Sequence, residues 1–218
     1  MAALDRCYYE ENISLLKKNH NDTFQIASRF QEQSTEIELV FTENNKPNLK
    51  VRTPEHGDVF IHNHEDPSVG SDVFLSLVPE DSTGVVLMFG MGLGYPVLEL
   101  LKKRKKIQSL VIFELNIEFF NLAIENMDLR ELLADKRVVF CLGEPDDLAS
   151  VMAPVNRGLM LESTHTLNLL SCFEVNHRYA ELSSKVFDYI NAFNVDGATK
   201  MAHGKTFFKN RLKHLTSM

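Results

Sequence analysis

The chain has 218 residues, 44% hydrophobic and 24% charged, with 23 basic against 30 acidic side chains and a net charge of −7. At ~100–200 residues per domain that is one large domain or two small ones, long enough to bury a core without disulfides or metals. The acidic balance argues against a general nucleic-acid or anionic-membrane binder, and no apolar run reaches the ~18–20 residues of a membrane-spanning helix.

The opening MAALDRCYYEEN shows neither the basic stretch nor the apolar run of an export signal. Cys7, Cys141 and Cys172 are odd in number and contain no C-x-x-C, which disfavours a disulfide scaffold and a zinc ribbon. A reducing cytoplasm fits best. From Gly197 onward there is no acid, while Lys200, Lys205, Lys209, Arg211 and Lys213 supply five positive charges. The tail, residues 196–218, either docks on an acidic surface of this chain or opens a further domain.

Residues 4–18 and 22–33 read as helices, with Leu4, Tyr8, Leu15 and Phe24, Ala27, Phe30 at roughly helical spacing. Asp22 is placed to cap the second. The period then shortens: Ile37, Leu39 and Phe41 mark a half-buried strand, ENNKPN (43–48) a turn, and Leu49 and Val51 a partner strand. PEHGD (54–58) is a second turn and VFIH (59–62) a third strand. Asp66-Pro67 reads as a helix start, a capping carboxylate before proline, with the helix running through Val73, Phe74 and Leu77 to Pro79. PEDST (79–83) is the candidate boundary between a first unit, 1–83, and a second, 84–195.

From Gly84 strands and helices alternate. VVLMF (85–89), LVIFE (110–114), RVVFCL (137–142) and, more weakly, GLMLE (158–162) read as strands. Helices are expected over 95–104, 116–126, 128–135, 144–152 and about 172–193, the last with Tyr179, Leu182, Val186, Tyr189 and Phe193 on one stripe. This rhythm predicts a Rossmann-like α/β domain of parallel strands, preceded by a small α+β subdomain.

The sharpest local signal is Gly90-Met91-Gly92-Leu93-Gly94-Tyr95-Pro96, between a buried strand and a helix. Glycines there let the chain turn sharply and let a ligand approach N–H groups at a helix start. Glu114 ends the next strand, where a carboxylate can bind ribose hydroxyls. Tyr95 stands where the dinucleotide pattern G-x-G-x-x-G has its third glycine, which favours S-adenosylmethionine over NAD. A purely structural turn and a nucleoside site both stay open. Glu144, after the third strand, sits where such folds contact an adenine, although a helix start with Glu144, Asp146 and Asp147 favourable to the dipole is the simpler reading. Lys102 to Lys106, with Arg104, read as a solvated helix end. His62 and His64, with His56, Glu65 and Asp66 near them, could hold a metal, but no third ligand is evident and none is assigned.

YYEENISLLKKNH, Ile61-His62-x-x-x-Asp66-Pro67, GMGLGYPVLELLKK, VIFELN and RVVFCLGEPDDL together resemble the N-terminal region of bacterial motility accessory factors. These are the Maf-type flagellin-modifying glycosyltransferases, related to a wider MptE-like family. NVDGATKMAHGKTFFKNRLKHL is similar to the opening of that family's central, transferase domain. Asn63 and Glu65 depart from the family pattern, which has Ser and an aromatic there. The resemblance implies that the full-length protein transfers a nonulosonic acid from a CMP-activated sugar to Ser or Thr of flagellin. It does not imply that this region performs the transfer.

The expected function is therefore an accessory region, with a nucleoside-type pocket of Gly90, Gly92, Gly94, Tyr95, Glu114 and Glu144 for S-adenosylmethionine or another nucleoside. Its expected partners are flagellin or other flagellar proteins, a nucleotide or nucleotide-sugar, and a second copy of itself. The alternatives are a stand-alone S-adenosylmethionine-dependent methyltransferase or aminopropyltransferase, and a non-enzymatic binding module. Fold alone does not choose among them.

Overall fold

A computed structural model describes residues 5–31 and 34–194. It opens on two helices, α1 (Asp5–Asn19) and α2 (Asn21–Arg29). The His20 N–H still bonds Leu16 O at 2.8 Å, so α1 runs almost directly into α2, with His20 as the residue that starts it. Asp22 consequently lies inside the first turn of α2 and does not cap it. Its charge favours the helix dipole from there.

Three antiparallel strands follow: β1 (Ile37–Phe41), β2 (Pro47–Thr53) and β3 (Gly57–Phe60), in the order β1-β2-β3. Leu39 faces Leu49 and Val51 faces Val59, and Leu49, Val51, Val59 and the following Ile61 are buried. The expected helix start at Asp66-Pro67 comes too early. Residues 67–70 form turns, and α3 (Ser71–Leu77) begins after Gly70, whose φ is 96°. Asp66 accepts the Ser68 N–H at 2.9 Å and pairs with Lys46 Nζ at 2.7 Å. It closes a turn.

Four parallel strands form the second sheet, β4 (Val85–Phe89), β5 (Ser109–Glu114), β6 (Val138–Leu142) and β7 (Thr164–Asn168), in the order β6-β5-β4-β7. All five residues of β4 are buried, as expected of a central parallel strand covered on both faces. Between the strands run α4 (Tyr95–Lys103), α5 (Ile117–Asn126), α6 (Arg130–Ala134), α7 (Leu148–Met152) and α8 (Asn156–Leu161). After β7 come α9 (Leu170–Val175) and a helix over residues 178–194. The protein is thus a Rossmann-like α/β sheet preceded by a small α+β unit.

Three expectations need correction here. GLMLE is not the fourth strand: its first four residues belong to α8, and the strand is THTLN, β7. A short apolar run reads alike as strand and as buried helix. Gly158 is what lets α8 press on the sheet, since a Cβ there would lie 2.6 Å from Val85 Cγ2. The single helix expected over about 172–193 is two. Asn176 breaks it, and its Oδ1 accepts the Arg178 N–H at 3.0 Å to start the next helix. The stripe survives the break, with Tyr179, Leu182 and Val186 buried. The helix expected at 144–152 shortens to α7, because the Asp147 carboxylate accepts the Ala149 N–H at 3.0 Å and sets the start there.

Asn12 joins the N-terminal helices to the parallel sheet. Fully buried on α1, it donates to Ile124 O at 2.9 Å and Met127 O at 2.7 Å and accepts the Leu129 N–H at 3.2 Å. Both sheets share one continuous apolar cluster. Among the described residues no helix is long and apolar enough to cross a membrane. The tail over 196–218 lies outside the described residues, as do Leu4 and residues 32–33, while the helix expected over 22–33 ends early, at Arg29, because Phe30 turns to extended backbone at φ −75° and ψ 114°.

Candidate functional site at the glycine turn

At the carboxyl end of β4 the chain turns through three left-handed glycines, with φ of 78° at Gly90, 54° at Gly92 and 91° at Gly94. L side chains adopt such angles rarely, so the residue choice follows from the turn. The close approach expected of a glycine turn is also present. A Cβ at Gly90 would lie 2.7 Å from Cys172 Cβ and Sγ, and one at Gly92 would lie 2.6 Å from His62 Nε2 and 2.7 Å from Ile61 Cγ2. What approaches the backbone is the protein's own chain.

Every N–H of the turn is already bonded. Gly90 donates to Phe113 O and Gly94 to Met91 O, both at 2.8 Å. Met91 and Gly92 donate to Glu114 Oε2 at 2.8 and 3.2 Å. Leu93 donates to His62 Nε2 at 2.9 Å. The other oxygen of Glu114 accepts the Asn116 N–H at 2.9 Å and the Tyr179 O–H, while Tyr179 itself accepts the Leu115 N–H at 3.1 Å. Glu114 is 0% exposed. It does not face a ribose cleft, because the turn, Asn116 and Tyr179 enclose it on all sides.

Burial raises the Glu114 pKa, and the bonds from Tyr179, Met91, Asn116 and Gly92 oppose that rise. Burial, aided by the neighbouring Glu114, holds the Tyr179 phenol and the Cys172 thiol well above their usual values, so both keep their protons. Burial drives the pKa of His62 down to about 3. His62 is therefore neutral at ordinary pH and free to accept from Leu93. Chemically the arrangement is a closed lock of donors and acceptors.

The remaining candidates take no part in these hydrogen bonds. Tyr95 sends its O–H to Pro47 O at 2.9 Å and stacks edge-on against His62. It ties the turn to β2. Glu144 is exposed and ion-paired with Arg178. Among the described residues no group of three or more His, Cys, Asp or Glu could hold a metal, and His62 is turned inward, away from His64 beside Phe60. Arg104 departs from the solvated helix end expected of it. It is buried and donates to Val78 O at 2.5 Å and Leu75 O at 2.6 Å, clamping the end of α3.

Residues 62–153, which hold His62, the glycine turn and Glu114, match the family model of the glycosyltransferase Maf N-terminal domain. That stretch is a Maf-type N-terminal region. The Maf glycosyltransferase from Magnetospirillum magneticum AMB-1 is a similar solved structure, with 16% identity and a TM-score of 0.49 over 82% of this chain and 35% of that one. The chain thus spans about a third of the length of that Maf protein. No curated protein matches the sequence. Sequence reasoning missed the parts that Tyr179, Cys172 and His62 play around the glycine turn. Tyr179 showed only as one member of an apolar stripe, and nothing in the sequence pairs it with Glu114.

Proposed function

We propose that this chain is the accessory N-terminal region of a flagellin-modifying glycosyltransferase and performs no chemistry at its own sheet edge. In this reading the full-length protein works in the cytoplasm and moves a nonulosonic acid from a CMP-activated sugar to Ser or Thr of flagellin. The catalytic groups belong to a further domain, and this region folds as a rigid platform beside it.

One observation carries the reading: all five N–H groups from Gly90 to Gly94 are bonded within the chain. A nucleoside or phosphate at a glycine turn needs those donors free. Here Glu114, the residue that would hold a ribose, occupies two of them, and His62 a third. The motif that suggests S-adenosylmethionine in the sequence thus serves to fasten β4, β5 and the 61–62 segment together.

Titration calorimetry with S-adenosylmethionine, S-adenosylhomocysteine, CMP and a CMP-sugar tests this. No heat at millimolar concentration is expected. Binding of S-adenosylmethionine that disappears in Glu114→Ala, with the fold retained, overturns the reading in favour of the S-adenosylmethionine-dependent transferase.

A further inference from the structure

A cleft of about 630 Å³ lies outside the carboxyl end of β5, between the β1–β2 meander and the segment after α9. Its volume is within the ~300–1,000 Å³ of small-molecule pockets. It meets the lock around Glu114 only through Asn116 and includes none of the glycine turn's own residues.

The lining has a definite hydrogen-bonding character. Asn116 and Asn176 both line the cleft. Each uses its side-chain oxygen to start a helix: Asn116 Oδ1 accepts the Glu118 and Phe119 N–H groups, and Asn176 Oδ1 accepts that of Arg178. Those bonds fix the orientation of both amides, so what each has left is an NH2 donor. Glu118 and Glu36 supply carboxylates, and Glu118 spends both oxygens on a single N–H, that of Ser34. Ile37, Val51 and the half-buried ring of Phe30 form apolar walls.

From this set we infer that the cleft binds a neutral sugar. A cation offers only donors and leaves both amides unpaired. An anion offers only acceptors and meets two carboxylates, with no basic residue among the lining side chains. A hydroxyl both donates and accepts, so a polyhydroxylated ring satisfies amides and carboxylates together while its C–H face lies on Ile37, Val51 and Phe30. A ligand that covers the half-buried Asn116, Asn176 and Glu118 without pairing them strips their water and returns nothing, which is what makes the discrimination effective. The inference goes beyond the accessory role and does not depend on it.

Saturation-transfer NMR on the whole chain tests the proposal, with glucose, N-acetylglucosamine and methyl glucoside as probes and arginine and CMP as contrasts. Transfer to at least one sugar is expected, and retention with methyl glucoside identifies a glycosidically linked sugar as the occupant. Ile37→Trp, which fills the cleft, should weaken binding at least about tenfold. Glu36→Ala, at an exposed position that leaves the fold intact, should weaken it severalfold and covers the case in which Ile37→Trp fails to fold. Absence of transfer to every sugar overturns the proposal. So does transfer unchanged in the folded variants, or displacement of the sugar by arginine or CMP. A nucleotide bound at the glycine turn would contradict the accessory reading while leaving sugar binding in the cleft unaffected.

Discussion

The phenol of Tyr179 donates its hydrogen bond to the carboxylate of Glu114, 65 residues away in the chain, and so closes the last described helix onto the end of β5. Through its second oxygen the same carboxylate holds Met91 and Gly92. Three separate segments therefore depend on one buried carboxylate. Removing it leaves several donors unpaired away from water, each costing ~1–3 kcal/mol. Glu114→Gln keeps one acceptor oxygen but aims an NH2 at donors, and is expected to destabilise by about 2–4 kcal/mol. Tyr179→Phe removes one donor and orphans the Leu115 N–H, for about 1–3 kcal/mol. Urea unfolding measures both, and a Tyr179→Phe protein as stable as wild type would show the link to be idle.

The glycines of the turn are expected to rank by what surrounds them. Alanine at any left-handed position costs ~1–2 kcal/mol from backbone sterics alone. At Gly90 and Gly92 the new methyl also collides, at 2.7 Å from Cys172 and 2.6 Å from His62, whereas at Gly94 the nearest atoms are 3.4 Å away and at Gly57 none lies within 4 Å. Gly92→Ala and Gly90→Ala should therefore cost a further ~1–3 kcal/mol from overpacking. Thermal melts of the four alanine variants check the order. A Gly57→Ala variant as damaging as Gly92→Ala would mean that the backbone angle, not the neighbours, sets the cost.

Arg104 offers a separate test of a buried cation that carries no carboxylate partner among its described bonds. Its guanidinium donates to two carbonyls at the end of α3. Hydrogen bonds from charged groups are worth ~1.5–3 kcal/mol, and a lysine ammonium cannot reproduce the fork. Arg104→Lys is expected to lose at least about 1.5 kcal/mol in urea unfolding. A loss no larger than that of Lys103→Ala, at the exposed neighbouring position, would return Arg104 to the solvated face.

Much of the fold was legible because the signals were local. VVLMF and LVIFE read as buried strands, Gly90, Gly92 and Gly94 read as a strand-to-helix turn, and the antiparallel meander followed from Ile37, Leu39 and Leu49. What failed were decisions that depend on contacts across the chain. GLMLE became a helix because Gly158 let it dock on Val85, and Asn176 broke a helix whose apolar stripe was correct. The site was half legible. Spacing brought Glu114 to the turn, but whether that carboxylate meets a ribose or the turn's own N–H groups depends on Tyr179 and His62. Their positions in the sequence carry no trace of that encounter.

His62 gives the protein a specific acid sensitivity. Burial lowers its pKa from 6.5 to about 3, because the imidazolium would lose its water. The folded protein thus binds this proton far more weakly than the unfolded chain does. The sign follows directly: the contribution to stability is complete above pH 6.5, and it is lost as pH falls from there toward about 3. The loss approaches ~1.4 kcal/mol per pH unit inside that window. Glu114, whose pKa burial raises, acts in the opposite sense, so the comparison is made against a variant that retains it. In His62→Gln the amide oxygen can take the Leu93 N–H without titrating. That variant is expected to be less stable than wild type at pH 7.5, and the gap should close by several kcal/mol on descent to pH 4. Parallel stability curves for the two proteins across that range would show that His62 is not the buried, neutral acceptor of the turn.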